Sequence, residues 1–325
     1  AVVENYELVK DKIHTQLKDS QMFILTSSLG GGSGSGSLEL LVEMLSELGK
    51  PIIGLFVLPL SSEGGKEKQN SLEALDEMTK FVQSGKLNTI IVVDNTKAET
   101  IFREVSQVDF FSVINEKIVE PLDVFNTFSA QPSPIKGVDE AELSRLLIDN
   151  GGLTIYGKME TDKFEEETDL AECVIDNLNG SLLAGQFDLK KAKYAAAIFL
   201  ANEKVLKKIG AASTNYAVSI LQDNCGAPLA VFKGIYEAPI QEDVVRVYTI
   251  VSGLPLPEQK INDLMADVKK YQETMKNKDT ERNLSMKIDF GKDQAQTEAE
   301  RIKAKIANKS SAFSKFVNNV VDKRK

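Results

Sequence analysis

The sequence predicts an α/β fold: an alternating strand and helix half with a parallel sheet, then a long central helix, then a mixed α+β half. Three observations carry this expectation. The chain has 325 residues, 42% of them hydrophobic, enough for one large core or for two domains. Short apolar runs alternate with stretches whose apolar residues recur every three or four positions, the rhythm of strands and amphipathic helices. One of the apolar runs passes through a glycine- and serine-rich turn directly into such a helix.

Taken in order, residues 4–18 have the spacing of an amphipathic helix, and 22–27 form a short apolar strand. The turn over 29–37 follows. LELLVEMLSEL then places Leu38, Leu41, Val42, Leu45 and Leu48 at helical spacing and stops at Gly49 before Pro51. A strand over 52–60, a helix over 66–82 and a strand over 89–93 come next, and Asp94-Asn95 leads into a further helix. Strands separated by helices pair in parallel. Residues 104–128 read as a long helix in spite of Pro121, and QPSPIKG then breaks the pattern and marks a boundary. Beyond it the spacing predicts a helix over 139–148, a strand over 153–156, helices over 170–183 and 203–221 around a strand over 192–200, and strands over 229–235 and 244–251. The last two strands can pair without a crossover helix, which makes this half a mixed sheet. A helix over 258–275 closes it, and 278–300 are polar enough for a linker or a solvated helix.

Composition excludes several function classes. The single histidine, His14, removes most zinc-enzyme and Ser-His-Asp readings, which use imidazole as ligand or proton shuttle. Cys173 and Cys225 are too far apart for a CxxC pair and too few for a disulfide framework, so a reduced, cytoplasmic setting is expected. No apolar run approaches the roughly 20 residues of a membrane span, and the charged first fifteen positions do not read as a signal peptide. The net charge of −9 is unevenly spread: residues 301–325 hold eight Lys/Arg against Asp322 alone, a +7 segment behind an acidic body. Such a body repels nucleic acid, so direct DNA binding is weak at most, while the basic end suits an acidic protein or a phosphate backbone. Ile302, Ile306, Phe313, Phe316, Val317 and Val320 give that end an apolar spacing that a merely solubilising tail would not need.

The turn GGGSGSGS can be read as a flexible linker or as an anion cradle. Its position between a strand and a helix, with no spacer, favours the cradle. A helix start presents unpaired N–H groups and the positive end of the dipole, and glycines let backbone approach a phosphate. Serines 33, 35 and 37 add possible hydroxyl donors. The spacing GxGxxG fails in every register, and no Gly-Lys-Ser/Thr is present. Gly152 to Lys158 matches GxxxxGK, but Met159 stands where a hydroxyl is needed and the segment reads as a strand.

With these residues in view, the chain resembles the tubulin/FtsZ superfamily. Gly30-Gly31-Gly32-Ser33-Gly34-Ser35-Gly36 is similar to its GGGTGSG signature loop, with Ser33 in place of threonine. Leu58-Pro59 with Glu63-Gly64 resembles LPFxFEG, whose glutamate approaches the ribose. Val93-Asp94-Asn95 resembles IDN, whose asparagine reads guanine. Phe111 and Asn115 resemble the aromatic-xxx-Asn of the central helix, which stacks on and hydrogen-bonds the base. Four apart, they share a helix face. Core packing is the other use for Phe111, and capping of a helix the other use for Asn95. Gly137-Val138-Asp139-Glu140-Ala141-Glu142 is similar to the NxDxxD/E synergy loop, with Gly137 replacing the asparagine. Asp139 and Glu142 would be catalytic there; the alternative is that Asp139 caps a helix and Glu142 sits in its first turn, favoured by the dipole.

The resemblance implies a Rossmann-type GTPase domain over 1–103, N-terminally truncated because the initial strands and first loop of the family are not seen ahead of residue 4. It implies a central helix over 104–130, an activation domain over 131–277, and a linker and basic tail over 278–325. It implies GTP/GDP held by Gly30, Gly31, Gly32, Ser33, Gly34, Ser35, Glu63, Asn95, Phe111 and Asn115, with Mg²⁺, and hydrolysis completed by Asp139 and Glu142 of the adjacent subunit. A head-to-tail contact of that kind propagates into a filament. The synergy loop and basic tail look most like the plasmid and phage partition tubulins of the TubZ type, in which the tail engages a DNA-bound TubR adaptor. The alternatives are an FtsZ-like division protein and a non-hydrolysing capping module.

Overall fold

The computed structural model describes residues 5–133 and 135–281. In chain order the elements are α1 (Tyr6–Gln16), β1 (Phe23–Ser28), α2 (Gly32–Ser46), β2 (Ile52–Leu58), α3 (Gly65–Gln83), β3 (Thr89–Asp94) and α4 (Asn95–Ile101). They continue with α5 (Phe110–Ser129), α6 (Glu140–Leu147), β4 (Leu153–Thr161), α7 (Asp169–Asp176), β5 (Tyr194–Ala201), α8 (Glu203–Leu206), α9 (Ala211–Asn224), β6 (Ala230–Glu237), β7 (Val245–Leu254) and α10 (Glu258–Glu281). The seven strands make one sheet in the order β1-β2-β3-β4-β7-β5-β6. The chain divides into two units, Ala1–Tyr271 and Gln272–Lys325, and the second is described only over the end of α10.

The first half folds as its rhythm predicts. β1, β2 and β3 are parallel neighbours, with Phe23 opposite Ile52 and Ile53 opposite Thr89. β2 and β3 are apolar at nearly every position because helices cover both faces. Ile53, Leu55, Ile91 and Val93 form one face of the core with Ile114, Ile118 and Phe125 of α5 and Leu146 and Leu147 of α6. β3 joins β4 through two register pairs, Ile90–Leu153 and Ile91–Thr154. The Thr89 and Thr154 hydroxyls meet at 2.9 Å across this seam, so the sheet runs on past the break at residue 131.

Several expectations are corrected. β6 and β7 do not pair: β7 is inserted, antiparallel on both sides, between β4 and β5, and β6 lies outside β5 and parallel to it. The connection 238–244 causes this. Ala238 N–H donates to the Ala201 carbonyl, and the Asn202 amide donates to the carbonyls of Ile240 and Glu242, tying the chain over the end of β5 before it descends on the other side. The helix expected over 203–221 is two, α8 and α9, because Gly210 is extended (φ −69°, ψ 144°). The helix expected over 170–183 ends at Asp176 and passes through a π-helical turn, Asn177–Ser181. There the buried Asn177 amide donates to the Val247 carbonyl at 3.1 Å, and its oxygen accepts from Ser181 Oγ. β4 is longer than expected, running to Thr161, and α5 starts at Phe110 rather than 104. α5 does continue through Pro121, and Tyr156 Oη donates to the Ile118 carbonyl at 2.6 Å beside it. Residues 282–325, with the basic tail and its apolar spacing, lie outside the described residues.

Candidate nucleotide site

The glycine turn is shorter than its composition suggests. β1 ends at Ser28, Leu29 is fully buried, Gly31 is the N-cap, and α2 already begins at Gly32. Ser33, Gly34, Ser35, Gly36 and Ser37 are therefore helical. Gly31 has no side chain with which to cap, so the first-turn N–H groups of Gly32, Ser33 and Gly34 are left for another acceptor. Gly31, Gly32 and Ser33 are exposed. The hydroxyls expected to face a ligand are in part used elsewhere: Ser35 Oγ donates to the Gly31 carbonyl at 2.8 Å and Ser37 Oγ to the Ser33 carbonyl at 3.0 Å. Gly34 is packed on the end of β1, where a Cβ would come within 2.6 Å of Ser27 Oγ and of the Ser28 carbonyl oxygen.

The loops after β2 and β3 open at the same end of the parallel strands. Glu63 accepts the Leu60 N–H at 2.9 Å, and its other carboxylate oxygen lies 3.4 Å from where a Gly30 Cβ would stand. Asn95 is the first residue of α4 and half-buried. The cap of that helix is Asp94, whose Oδ1 accepts the Thr96 N–H at 3.0 Å, so the capping use considered for Asn95 falls to its neighbour. Thr96 Oγ1 accepts the Ser61 N–H at 2.8 Å and binds the two loops together. The sequence reading missed Asn70, whose amide donates to the Gly30 carbonyl at 3.0 Å, and Lys68, Lys260 and Asp267. A signal existed for Lys68, which falls in the apolar stripe of α3 with Leu72, Leu75 and Met78.

Phe111 is 66% exposed on the first turn of α5, so it is not a core residue; its ring meets Phe110 edge-on at 5.6 Å. Asn115, one turn on, is exposed on the same face.

Asp139 and Glu142 stand elsewhere, at the start of α6, and form a capping box. Asp139 Oδ1 accepts the Glu142 N–H at 2.8 Å, and Glu142 Oε2 accepts the Asp139 N–H at 3.1 Å. Tyr236 of β6 secures this corner: its Oη accepts the Val138 N–H at 2.7 Å and donates to the Val138 carbonyl at 3.2 Å. A Cβ on Gly137 would lie 3.2 Å from that hydroxyl, a tight contact. Burial pushes the Tyr236 hydroxyl above its ordinary pKa. The site residues thus lie in three places: the glycine turn with the β2 and β3 loops, the first turns of α5, and the start of α6.

This fold is that of the tubulin/FtsZ proteins, and residues 3–103 match the family described as "Tubulin/FtsZ family, GTPase domain". Among relatives, the tubulin-like protein CetZ of Pyrococcus abyssi is 28% identical over 86% of this chain and 74% of its own length. The tubulin-like protein TubZ of Bacillus cereus is 23% identical over 84% of this chain. The chain spans 66% of the length of that relative. The structure of GDP-form protofilaments of TubZ from Bacillus thuringiensis serovar israelensis superposes with a TM-score of 0.72 at 21% identity, over 85% of this chain and 77% of that one.

Proposed function

We propose that the protein binds GTP at the turn between β1 and α2, hydrolyses it at a contact between copies, and assembles head-to-tail into filaments. The observation that carries this reading is the helix start at Gly31 to Gly34, which no side chain caps, inside the segment that matches the GTPase domain. First-turn amides and the helix dipole would hold the phosphates, with Ser33 beside them. Glu63, next to Gly30, suits ribose hydroxyls better than phosphates because like charges repel. Asn95 and the exposed pair Phe111 and Asn115 offer an amide edge and a ring to the base.

Among the described residues no cluster of His, Cys, Asp or Glu could hold a metal. Mg²⁺ would enter on phosphate oxygens and water and neutralise charge there. Asp139 and Glu142, grouped apart from the turn, would meet the γ-phosphate of a neighbouring copy and orient the attacking water. The protofilament structure of a TubZ relative supports head-to-tail assembly. The +7 segment 301–325 supports recruitment of a DNA-bound adaptor of TubR type, and with it plasmid or phage DNA segregation in the cytoplasm. The higher identity to CetZ favours a second reading, a CetZ-like rather than a TubZ-like protein. No described helix is long and apolar enough to cross a membrane.

The test is GTP turnover across protein concentrations, with light scattering. The specific rate should rise with concentration, since each site needs two copies. Glu142→Gln keeps the hydrogen bond of the capping box but removes the charge, so it should fold normally and lose about 100-fold in turnover. A variant with full turnover would reduce Glu142 to a cap.

A further inference from the structure

α10 lies across the loops that a nucleotide would meet. Lys68, in the first turns of α3, is only 6% exposed. Its Nζ donates to the Asp267 carboxylate of α10 and to the Ser61 carbonyl, each at 2.6 Å. At the next loop Lys260 of α10 reaches Asp94 Oδ2 at 2.8 Å, and the other oxygen of that carboxylate caps α4. The Tyr271 ring covers Gly65, where a Cβ would come within 2.2 Å of it. Beneath these contacts is a cavity of about 310 Å³ lined by Pro59, Ser61, Lys68, Asp94, Thr96 and Lys260, among others.

The bonds lead on to the glycine turn. Ser61 precedes Glu63 by two residues, and Glu63 lies beside Gly30. Asn70, half a turn beyond Lys68 on α3, holds the Gly30 carbonyl. A buried ammonium needs acceptors, and Asp267 supplies one from outside the loop. Moving Asp267 away leaves Lys68 with the Ser61 carbonyl, so the position of α10 and that of the β2 loop depend on each other.

We infer that Lys68 and Asp267 are positioning residues for the glycine turn, and that α10 is coupled through them to nucleotide binding. The inference rests on the nucleotide reading above. Coupling of this kind is reciprocal: a nucleotide that orders the turn holds α10 down, and a partner that displaces α10 weakens the nucleotide by the same factor.

Hydrogen exchange over residues 258–271 of the full chain, with and without GTPγS and Mg²⁺, tests this alongside calorimetric affinities for the same analogue. In the unmodified protein the analogue should slow exchange in α10. The Asp267 side chain is 51% exposed, so Asp267→Asn should fold; it should lose that slowing and bind about tenfold more weakly. Asp267→Glu should restore both. If the unmodified chain binds the analogue while exchange in α10 is unchanged, or Asp267→Asn binds with full affinity, the coupling is overturned and the nucleotide reading stands. If the unmodified chain shows no binding at all, both fall. Should Asp267→Asn fail to fold, the exchange result on the unmodified chain decides alone.

Discussion

Gly34 and Gly36 stand two positions apart on α2 and meet different surroundings. A Cβ on Gly36 meets nothing within 4 Å, whereas one on Gly34 would press into Ser27 Oγ and the Ser28 carbonyl at 2.6 Å. Glycine costs a helix about 1 kcal/mol relative to alanine. Gly36→Ala should therefore stabilise the protein by about that amount. At Gly34 the same gain is opposed by overpacking of about 1–3 kcal/mol against backbone that cannot turn aside. Gly34→Ala should lower stability and weaken GTP binding, because it pushes the phosphate turn off β1. Urea unfolding of both variants decides; equal shifts would mean that the close approach is not real. Composition alone does not separate these two glycines, since both sit in one Gly/Ser run. The cap at Asp139 was legible as the alternative use of that residue, because a cap acts within one turn, whereas the return bond from Glu142 emerged from the structure.

Among the elements, α5 is bonded to the sheet as well as packed on it. Glu120 accepts from Lys158 of β4 at 2.6 Å and from Tyr248 Oη of β7 at 2.7 Å, and from Lys117 of its own helix at 3.2 Å. Burial works against ionisation of this carboxyl, but the hydrogen bonds from Lys158 and Tyr248 outweigh it and hold the pKa below its ordinary value. A depressed carboxyl stabilises the fold above its unfolded pKa, and that contribution fades as pH falls through the lower folded value. Glu120→Gln should therefore cost about 1–3 kcal/mol at pH 7, less than a fully buried pair because the group is partly solvated. The difference from the unmodified protein should shrink as the pH is lowered below about 4.5. Denaturant unfolding at pH 7 and pH 4 would show it, and a gap that stays constant would count against the ion pairs. Element type was largely readable from the apolar spacing. The breaks at Gly210 and Asn177 were not, because each is set by a partner remote in sequence or by a backbone angle.

At the scale of the whole molecule the charge separation matters most. Residues 301–325 carry +7 on a chain of net −9. Their deletion should abolish recruitment of a DNA-bound adaptor while leaving GTP-dependent light scattering intact; loss of assembly would instead assign the segment to the filament contact. The order of the sheet shows how far local reading goes. The parallel trio β1, β2 and β3 follows from strands spaced by helices, whereas the insertion of β7 between β4 and β5 depends on bonds from Asn202 to a connection 38 and 40 residues away. The amino-acid order by itself determined the α/β rhythm, the glycine-rich junction of strand and helix and the shared helix face of Phe111 and Asn115, because periodicity and turn chemistry act over a few residues. Only the tertiary structure decided that Asn70 holds the Gly30 carbonyl, that Thr96 joins α4 to the loop after β2, and that α10 is bonded to the loops of the site. Those outcomes rest on which atoms of distant segments come within hydrogen-bond reach, and packing alone sets that.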